Sequence, residues 1–299
     1  MFTRILKAQG PYAFKSVVFS HGWSDLPPFY VRTTSGVMDL VLRSGARPVR
    51  VTLRPAPGGL RVESEERLLS RALADLRWMF RLDDDLGSFY ELLGREERPW
   101  ALDLRMGRLL RSQSVFEDLI KLILTTNCAW SLTRVMADRL AEKLGEKTME
   151  GFSLFPTART MAGKGERFYR EVIRAGYRSP NLVCVARLFA SGRVVPSEWL
   201  DPRRPTEEIR KEILALPGAG PYVADNLLKF LGRFDHLGLD SWARTKLKEL
   251  WGMKKVPKDT TIARRYRTFG LFQGLALLCD LTHDWFTTDQ FKDWIRTGR

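Results

Sequence analysis

In the stretch LPGAGPYVADNLLKFLGRFDHLGLDSWART, Leu216 to Thr245, a single carboxylate, Asp240, follows a short apolar run and directly precedes the helix-forming segment SWARTKLKEL. An acid in that place can cap the helix, which is worth roughly 1 kcal/mol. It can also face a substrate and stabilise positive charge that develops there. Upstream, the helical EEIRKEILAL must stop at Pro217-Gly218, and a new helix must start near Pro221 to Val223, because proline suits the first turn of a helix and breaks its interior. Gly218 and Gly220 permit positive φ and let bare backbone approach another surface. N–H groups at such a helix start form a phosphate site that carries no sequence information. The hexapeptide LPGAGP also reads as an ordinary helix-helix turn.

The elements around this segment fall into two kinds. The first hundred residues carry strand signals in YAFKSVVFS, GVMDLVLRS, RPVRVTLRP and GLRVES, interrupted by Gly, Pro, Asp or Ser. From Glu65 the spacing turns helical in LLSRALADLRWMF and GSFYELLG, and from Ser114 onward nearly every segment reads as helix with short Gly, Pro or Asn punctuation. The expected fold is α+β: an N-terminal antiparallel sheet domain with flanking helices over residues 1–105, then an all-helical domain over 106–299 with its hairpin at 216–222.

A chain of 299 residues suits two domains of roughly 100–200 residues each. Its 49 Lys and Arg against 35 Asp and Glu give a net charge of +14 and a pI near 10.0. Such a balance points to a polyanionic partner, nucleic acid before an anionic membrane surface. No run approaches the roughly 18 apolar residues of a membrane span, and MFTRILKAQG lacks the features of a signal peptide. The expectation is a soluble, intracellular protein, cytoplasmic and nucleoid-associated in a prokaryote. Cys128, Cys184 and Cys279 show no CxxC spacing and no ligand spacing with His21, His236 or His283. They are expected to be buried apolar residues, with no disulfide, zinc site or iron-sulfur cluster.

The order LPGxGxxxA, a helix, then a loop with an Asp before another helix resembles the helix-hairpin-helix (HhH-GPD) DNA glycosylase superfamily. FEDLIKLILTTNCAWSLTRVMADRLAEKLG, LFPTARTMAG and AGYRSPNLVCVARLF are similar to segments of its 3-methyladenine glycosylase II and 8-oxoguanine glycosylase branches. The resemblance is strong from about Phe116 to Leu247 and rests on pattern alone before Asp83. It implies a TBP-like N-terminal sheet, a catalytic role for Asp240 and a gap-filling role for Asn127, which also reads as a helix cap. It implies double-stranded DNA with a damaged base as partner, a monomer, and no required cofactor, with room for a monovalent cation at the hairpin.

In relatives that also cut the backbone, a Lys stands where this chain has Tyr222. Tyrosine cannot form the Schiff base of that chemistry. The resemblance therefore implies a monofunctional enzyme with water as nucleophile, acting on a flipped purine, an alkylated base such as 3-methyladenine in the first reading. An 8-oxoguanine-type glycosylase and a non-catalytic DNA-binding protein are the alternatives, and Lys229 and Lys246 are the nearest substitutes for the missing amine. A cationic alkylated purine favours aromatic faces, for which Tyr222, Trp130 and Trp242 lead, with Trp23 and Trp285 behind them. Phosphate contacts are expected from Leu216, Gly218, Gly220, Tyr222, Arg244, Lys246 and Lys248. Between Trp242 and Arg267 nine Lys or Arg face two Asp or Glu, a net +7 that is half the charge of the chain and includes Lys254 and Lys255. A solvated basic face is the plainer reading of that run.

Overall fold

The computed structural model describes residues 1–32 and 36–286. A five-stranded antiparallel sheet has the order β1-β5-β4-β3-β2, with β1 at Phe2–Lys7, β2 at Phe29–Arg32, β3 at Val37–Ser44, β4 at Arg47–Ala56 and β5 at Gly59–Ser64. Strands β2 to β5 form a meander, and β1 returns to pair with β5, Phe2 opposite Ser64. Along β4, Val49, Val51 and Leu53 are buried while their neighbours are partly exposed, the alternation of a sheet with one face on the core.

The expectation of a strand at YAFKSVVFS is corrected. Phe14–Val18 is a short helix, α1, with Phe14, Ser16, Val17 and Val18 all buried. Its valines raise the strand signal, but a five-residue segment buried on nearly all sides has no period by which the two states can be told apart. The edge strand β1 gave no signal because only Leu6 in it is buried.

Helices follow the sheet: α2 (Ser70–Met79), α3 (Gly87–Arg95), α4 (Pro99–Asp103), α5 (Val115–Thr125), α6 (Trp130–Leu144), α7 (Ala158–Ala162) and α8 (Glu166–Phe168). Beyond them lie α9 (Ser179–Ala190), α10 (Pro196–Trp199), α11 (Thr206–Leu214), α12 (Pro221–Leu231), α13 (Ser241–Leu250), α14 (Asp259–Tyr266) and α15 (Gln273–Thr282). Helix α8 runs into a π-helical turn at Tyr169–Ile173. The end of the expected second domain, 287–299, lies outside the described residues. One buried cluster extends from Leu6 and Leu40 through Leu76 and Leu119 to Leu227 and Leu281, so the sheet and the helices share a core.

Two buried arginines from the sheet side reach across to α12. Arg81 donates to the carbonyls of Lys229 and Phe230, the latter at 3.1 Å, and to that of Leu109 at 3.1 Å. Arg111 donates to Phe230 O at 2.5 Å, and its guanidinium lies 3.7 Å from the centre of the Trp78 ring. The last carbonyls of a helix have no partner within it, and here two guanidiniums fill that place. Asp84 pairs with Arg81 and stands 3.9 Å from Arg111, which offsets part of the buried charge.

Cys279 is buried and Cys128 partly so, but Cys184 is exposed, against expectation. Helix α9 buries Leu182, Val183, Val185 and Ala186, and position 184 falls on its outer side. Among the described residues no helix is long and apolar enough to cross a membrane, and no group of three or more His, Cys, Asp or Glu could hold a metal ion.

Candidate active site

The hairpin between α11 and α12 forms at the position expected. Gly218 has φ +82, and a Cβ there would meet Asn181 Nδ2 at 2.8 Å, so the left-handed turn and its close approach to α9 both call for glycine. Gly220 does not use the positive φ that glycine permits: φ is −79° and ψ −176°. Nothing lies within 4 Å of a Cβ built there, so it contributes an open, bare N-cap to α12. Leu216 is buried, and its carbonyl accepts from Ala219 N at 3.1 Å.

After α12 the chain turns at Gly232 (φ 92) and returns through residues 234–240 to start α13. Asp240 caps α13, its Oδ1 accepting from Ala243 N at 2.7 Å. The loop that carries it is held from several sides. Lys229 Nζ donates to Leu237 O at 2.7 Å, Asn226 Nδ2 to Gly238 O at 3.2 Å, Gln273 Nε2 to Asp235 O at 2.5 Å, and Gly274 N to Phe234 O at 2.8 Å. At Gly238 (φ +63) a Cβ would stand 2.8 Å from Lys229 Nζ and 2.9 Å from Asn226 Nδ2, so the loop backbone reaches its two donors only because that side chain is missing.

Asp240 lines a cleft of about 1160 Å³ between the sheet side and the helices. The cleft gathers Tyr222, Trp130, Trp242, Trp23 and Trp285, so all five aromatic candidates meet around the one carboxylate. Trp242 and Trp285 have ring centroids 6.2 Å apart, and Trp242 is 47% exposed. Trp130 covers Gly22 so closely that a Cβ there would be 2.5 Å from its ring, and its Nε1 donates to Asp25 Oδ2 at 2.8 Å. Asp25 also stands 3.4 Å from Arg134. Trp23 is buried, donates to Asp118 Oδ1 at 2.7 Å and stacks on Phe230 at 5.3 Å. It is a fixed wall of the cleft.

The sequence reading missed His21 and Gly22, which directly precede Trp23, His21 as the cap and Gly22 as the first residue of a 3-10 turn, Gly22–Asp25, between α1 and β2. His21 Nε2 lies 2.7 Å from Leu110 O, and its Nδ1 accepts from Trp23 N at 3.3 Å, a pattern that fits the neutral ring protonated on Nε2. Burial pushes its pKa down to about 3, with help from the Lys121, Arg81 and Lys229 cations. Only the tryptophan marked this turn as a candidate wall in the sequence.

Tyr222 sits in the first turn of α12, its hydroxyl 3.2 Å from Thr125 Oγ1. Burial pushes its pKa up to about 12, and the Asp240 carboxylate adds to that. Lys229 was foreseen only as a substitute amine, yet with Tyr222 and Asn226 it completes an i, i+4, i+7 face of α12 toward the cleft. It is 4% exposed. Burial lowers its pKa to about 8, against the opposing pull of the Asp225 and Asp240 carboxylates. A cation on the apolar side of LLKFL was the available signal.

Asn127 is exposed at the tip of the α5–α6 turn with φ 47. Its Nδ2 donates to Tyr177 OH at 3.4 Å. Tyr177, which the sequence reading did not single out, is 54% exposed, donates to Thr126 O at 3.1 Å and lies under the Arg178 guanidinium. The two side chains form one projecting tip.

Among the expected phosphate ligands, Arg244 is paired with Asp259 at 2.7 Å and Lys246 with Asp284, so a phosphate would have to compete with carboxylates there. Lys248 is partly exposed and Lys254 and Lys255 are exposed, and among the described residues none of the three has an ion pair.

No family model matches the chain, and no curated protein matches it. Solved structures do. MBOgg1 in complex with a low-affinity DNA ligand is 20% identical with a TM-score of 0.74, covering 95% of this chain and 99% of its own. A 3-methyladenine DNA glycosylase from Archaeoglobus fulgidus is 19% identical with a TM-score of 0.73, covering 96% and 99%. The Clostridium acetobutylicum 8-oxoguanine glycosylase/lyase, with double-stranded DNA containing cytosine opposite 8-oxoguanine, is 17% identical with a TM-score of 0.67, covering 89% and 92%. The chain thus has the α+β fold of these proteins over nearly its whole length.

Proposed function

We propose that the protein is a base-excision DNA glycosylase that hydrolyses the N-glycosidic bond of a damaged purine flipped out of double-stranded DNA. The observation that carries this reading is Asp240 in the wall of an aromatic-lined cleft, one helix and a loop beyond a glycine hairpin suited to phosphate. The fold shared with structures named as 3-methyladenine and 8-oxoguanine glycosylases supports it.

Cleavage of the bond develops oxocarbenium character on the sugar. A fixed carboxylate stabilises that charge more than it stabilises the neutral sugar, and it can accept a proton from the attacking water. The water oxygen bonds to C1′, its proton passes to Asp240, and the base departs with the bonding electron pair. In this reading the exposed tip of Asn127 and Tyr177 fills the gap left by the flipped nucleotide, and the hairpin backbone with Lys248, Lys254 and Lys255 holds phosphates. Tyr222 supplies no amine for a Schiff base, so we read the enzyme as monofunctional, with no cofactor in the reaction and a single protein copy on the DNA.

Base release is tested on duplex oligonucleotides carrying 3-methyladenine, 7-methylguanine, hypoxanthine, uracil or 8-oxoguanine, with and without alkali. Release that needs alkali for strand scission and is lost in Asp240→Asn is the expected result. Binding to every duplex without release from any would establish a DNA-binding protein instead, and borohydride trapping of a protein–DNA adduct would establish a lyase.

A further inference from the structure

We propose that Lys229 makes the site select neutral damaged bases over cationic alkylated ones, an inference that rests on the glycosylase reading above. The residue is 4% exposed in the wall of the cleft that holds Asp240. Two of its three donors go to neutral oxygens, Asn226 Oδ1 at 3.0 Å and Leu237 O at 2.7 Å. Among the described residues no carboxylate is in ion-pair contact with it. Asp225, one of the two acids that act on it through space, is itself bound to Arg210 at 2.7 Å. The other is Asp240.

The remaining charged groups of the cleft cancel. Asp25 stands against Arg134, and His21 is held as the neutral ring by Leu110 and Trp23. What is left, among the described residues, is one carboxylate and one ammonium without a contacting counter-ion. That pair matches the heterolysis of a neutral nucleoside, in which positive charge grows on the sugar and negative charge on the departing base.

A cationic base such as 7-methylguanine or 3-methyladenine leaves as a neutral molecule. It has no growing negative charge for Lys229 to stabilise, and its own charge is repelled on entry. A neutral base with a carbonyl acceptor, such as hypoxanthine, uracil or 8-oxoguanine, leaves as an anion beside a cation. This reverses the order of lesions suggested by the absent hairpin lysine, because an amine can act on the base without forming any bond to the sugar. One unit of charge across several ångströms of partly dry protein corresponds to a rate effect on the order of ten- to a hundredfold.

The test is single-turnover base release by wild type, Lys229→Met and Lys229→Arg from matched duplexes carrying neutral or cationic lesions, with folding of each variant checked by circular dichroism. Lys229→Met is expected to lower the ratio of neutral-base to cationic-base release ten- to a hundredfold, on top of any fall that both classes share through the loss of its bond to the Asp240 loop. Lys229→Arg should keep the wild-type preference. An equal fall for both classes would reduce Lys229 to a peg for the Asp240 loop, and a wild-type preference for cationic bases would overturn the proposal directly. If wild type released neither class, the glycosylase reading itself would fall. If Lys229→Met does not fold, the ratio measured for Lys229→Gln decides in the same way.

Discussion

A charge placed under an active site should be visible in the stability of the protein before any DNA is added. Lys229 has an ordinary pKa of 10.5, lowered by burial to about 8 in the fold. At about 1.4 kcal/mol per tenfold in proton affinity, holding that ammonium in the folded protein costs roughly 3 kcal/mol at pH 7. As pH rises from 8 toward 10.5 the folded protein sheds this proton before the unfolded chain does. The unfolded state then binds more protons, so stability rises with pH over that window. Lys229→Met removes this dependence. It also deprives Leu237 O and Asn226 Oδ1 of a donor, a loss of about 1–3 kcal/mol that varies little with pH. The sign of the stability change at pH 7 is therefore a close contest between the two effects, but its change with pH is not. Wild type should gain about 2 kcal/mol relative to Lys229→Met between pH 7 and pH 10, read from urea unfolding midpoints followed by tryptophan fluorescence. Parallel stability curves for the two proteins across that range would show that the ammonium is not held against its hydration, and the electrostatic case for it would fail.

Other perturbations follow from the same geometry. Asp240→Asn keeps a capping side chain, so its stability should stay within about 0.5 kcal/mol of wild type while base release falls a hundredfold or more; Asp240→Ala should also lose about 1 kcal/mol in chemical denaturation. DNA affinity should fall steeply with salt, and titrations of Lys254→Ala and Lys255→Ala should show a log-log slope smaller by about 0.9 per lost contact. Arg244→Ala should change that slope less, because Arg244 is already bound to Asp259. Gly218→Ala forces a side chain into a left-handed turn and against Asn181, and should cost more than about 1 kcal/mol in thermal unfolding and weaken binding to undamaged duplex. Arg81→Met should destabilise the protein by about 3 kcal/mol or more in urea, since it strips donors from three buried carbonyls and leaves Asp84 without its main partner.

What could be read in the sequence was whatever depends on neighbours along the chain. The hairpin, the start of α12 and the cap at Asp240 are set by Pro217-Gly218, Pro221 and the Asp-Ser junction, all within a few residues. Strand β4 showed its alternation and β3 and β5 their apolar, β-branched runs, and the long amphipathic helices showed their three-four spacing. What escaped depends on distant partners. Arg244 and Lys246 looked like free cations because charge counting cannot show that Asp259 and Asp284 fold onto them. Lys229 looked like one cation in an apolar run because its meaning comes from a loop that returns to it at Leu237. The turn at His21 and Gly22 went unread because α1 was taken for a strand, which left nothing to carry the following residues to the cleft.

The two guanidiniums that finish α12 also bear on modularity. Arg81 and Arg111 belong to the part of the chain that joins sheet to helices, yet what they complete is the helix presenting Tyr222, Asn226 and Lys229 to the cleft. A chimera that joins this helical half to a foreign sheet half would have to import both arginines in register. Without them the chimera would not simply lack a binding accessory, because the end of its central helix would be left with bare carbonyls in a dry interface. Shuffling libraries built on this fold should therefore recover active clones only when the crossover lies on the N-terminal side of residue 81, so that both arginines travel with the helices they complete.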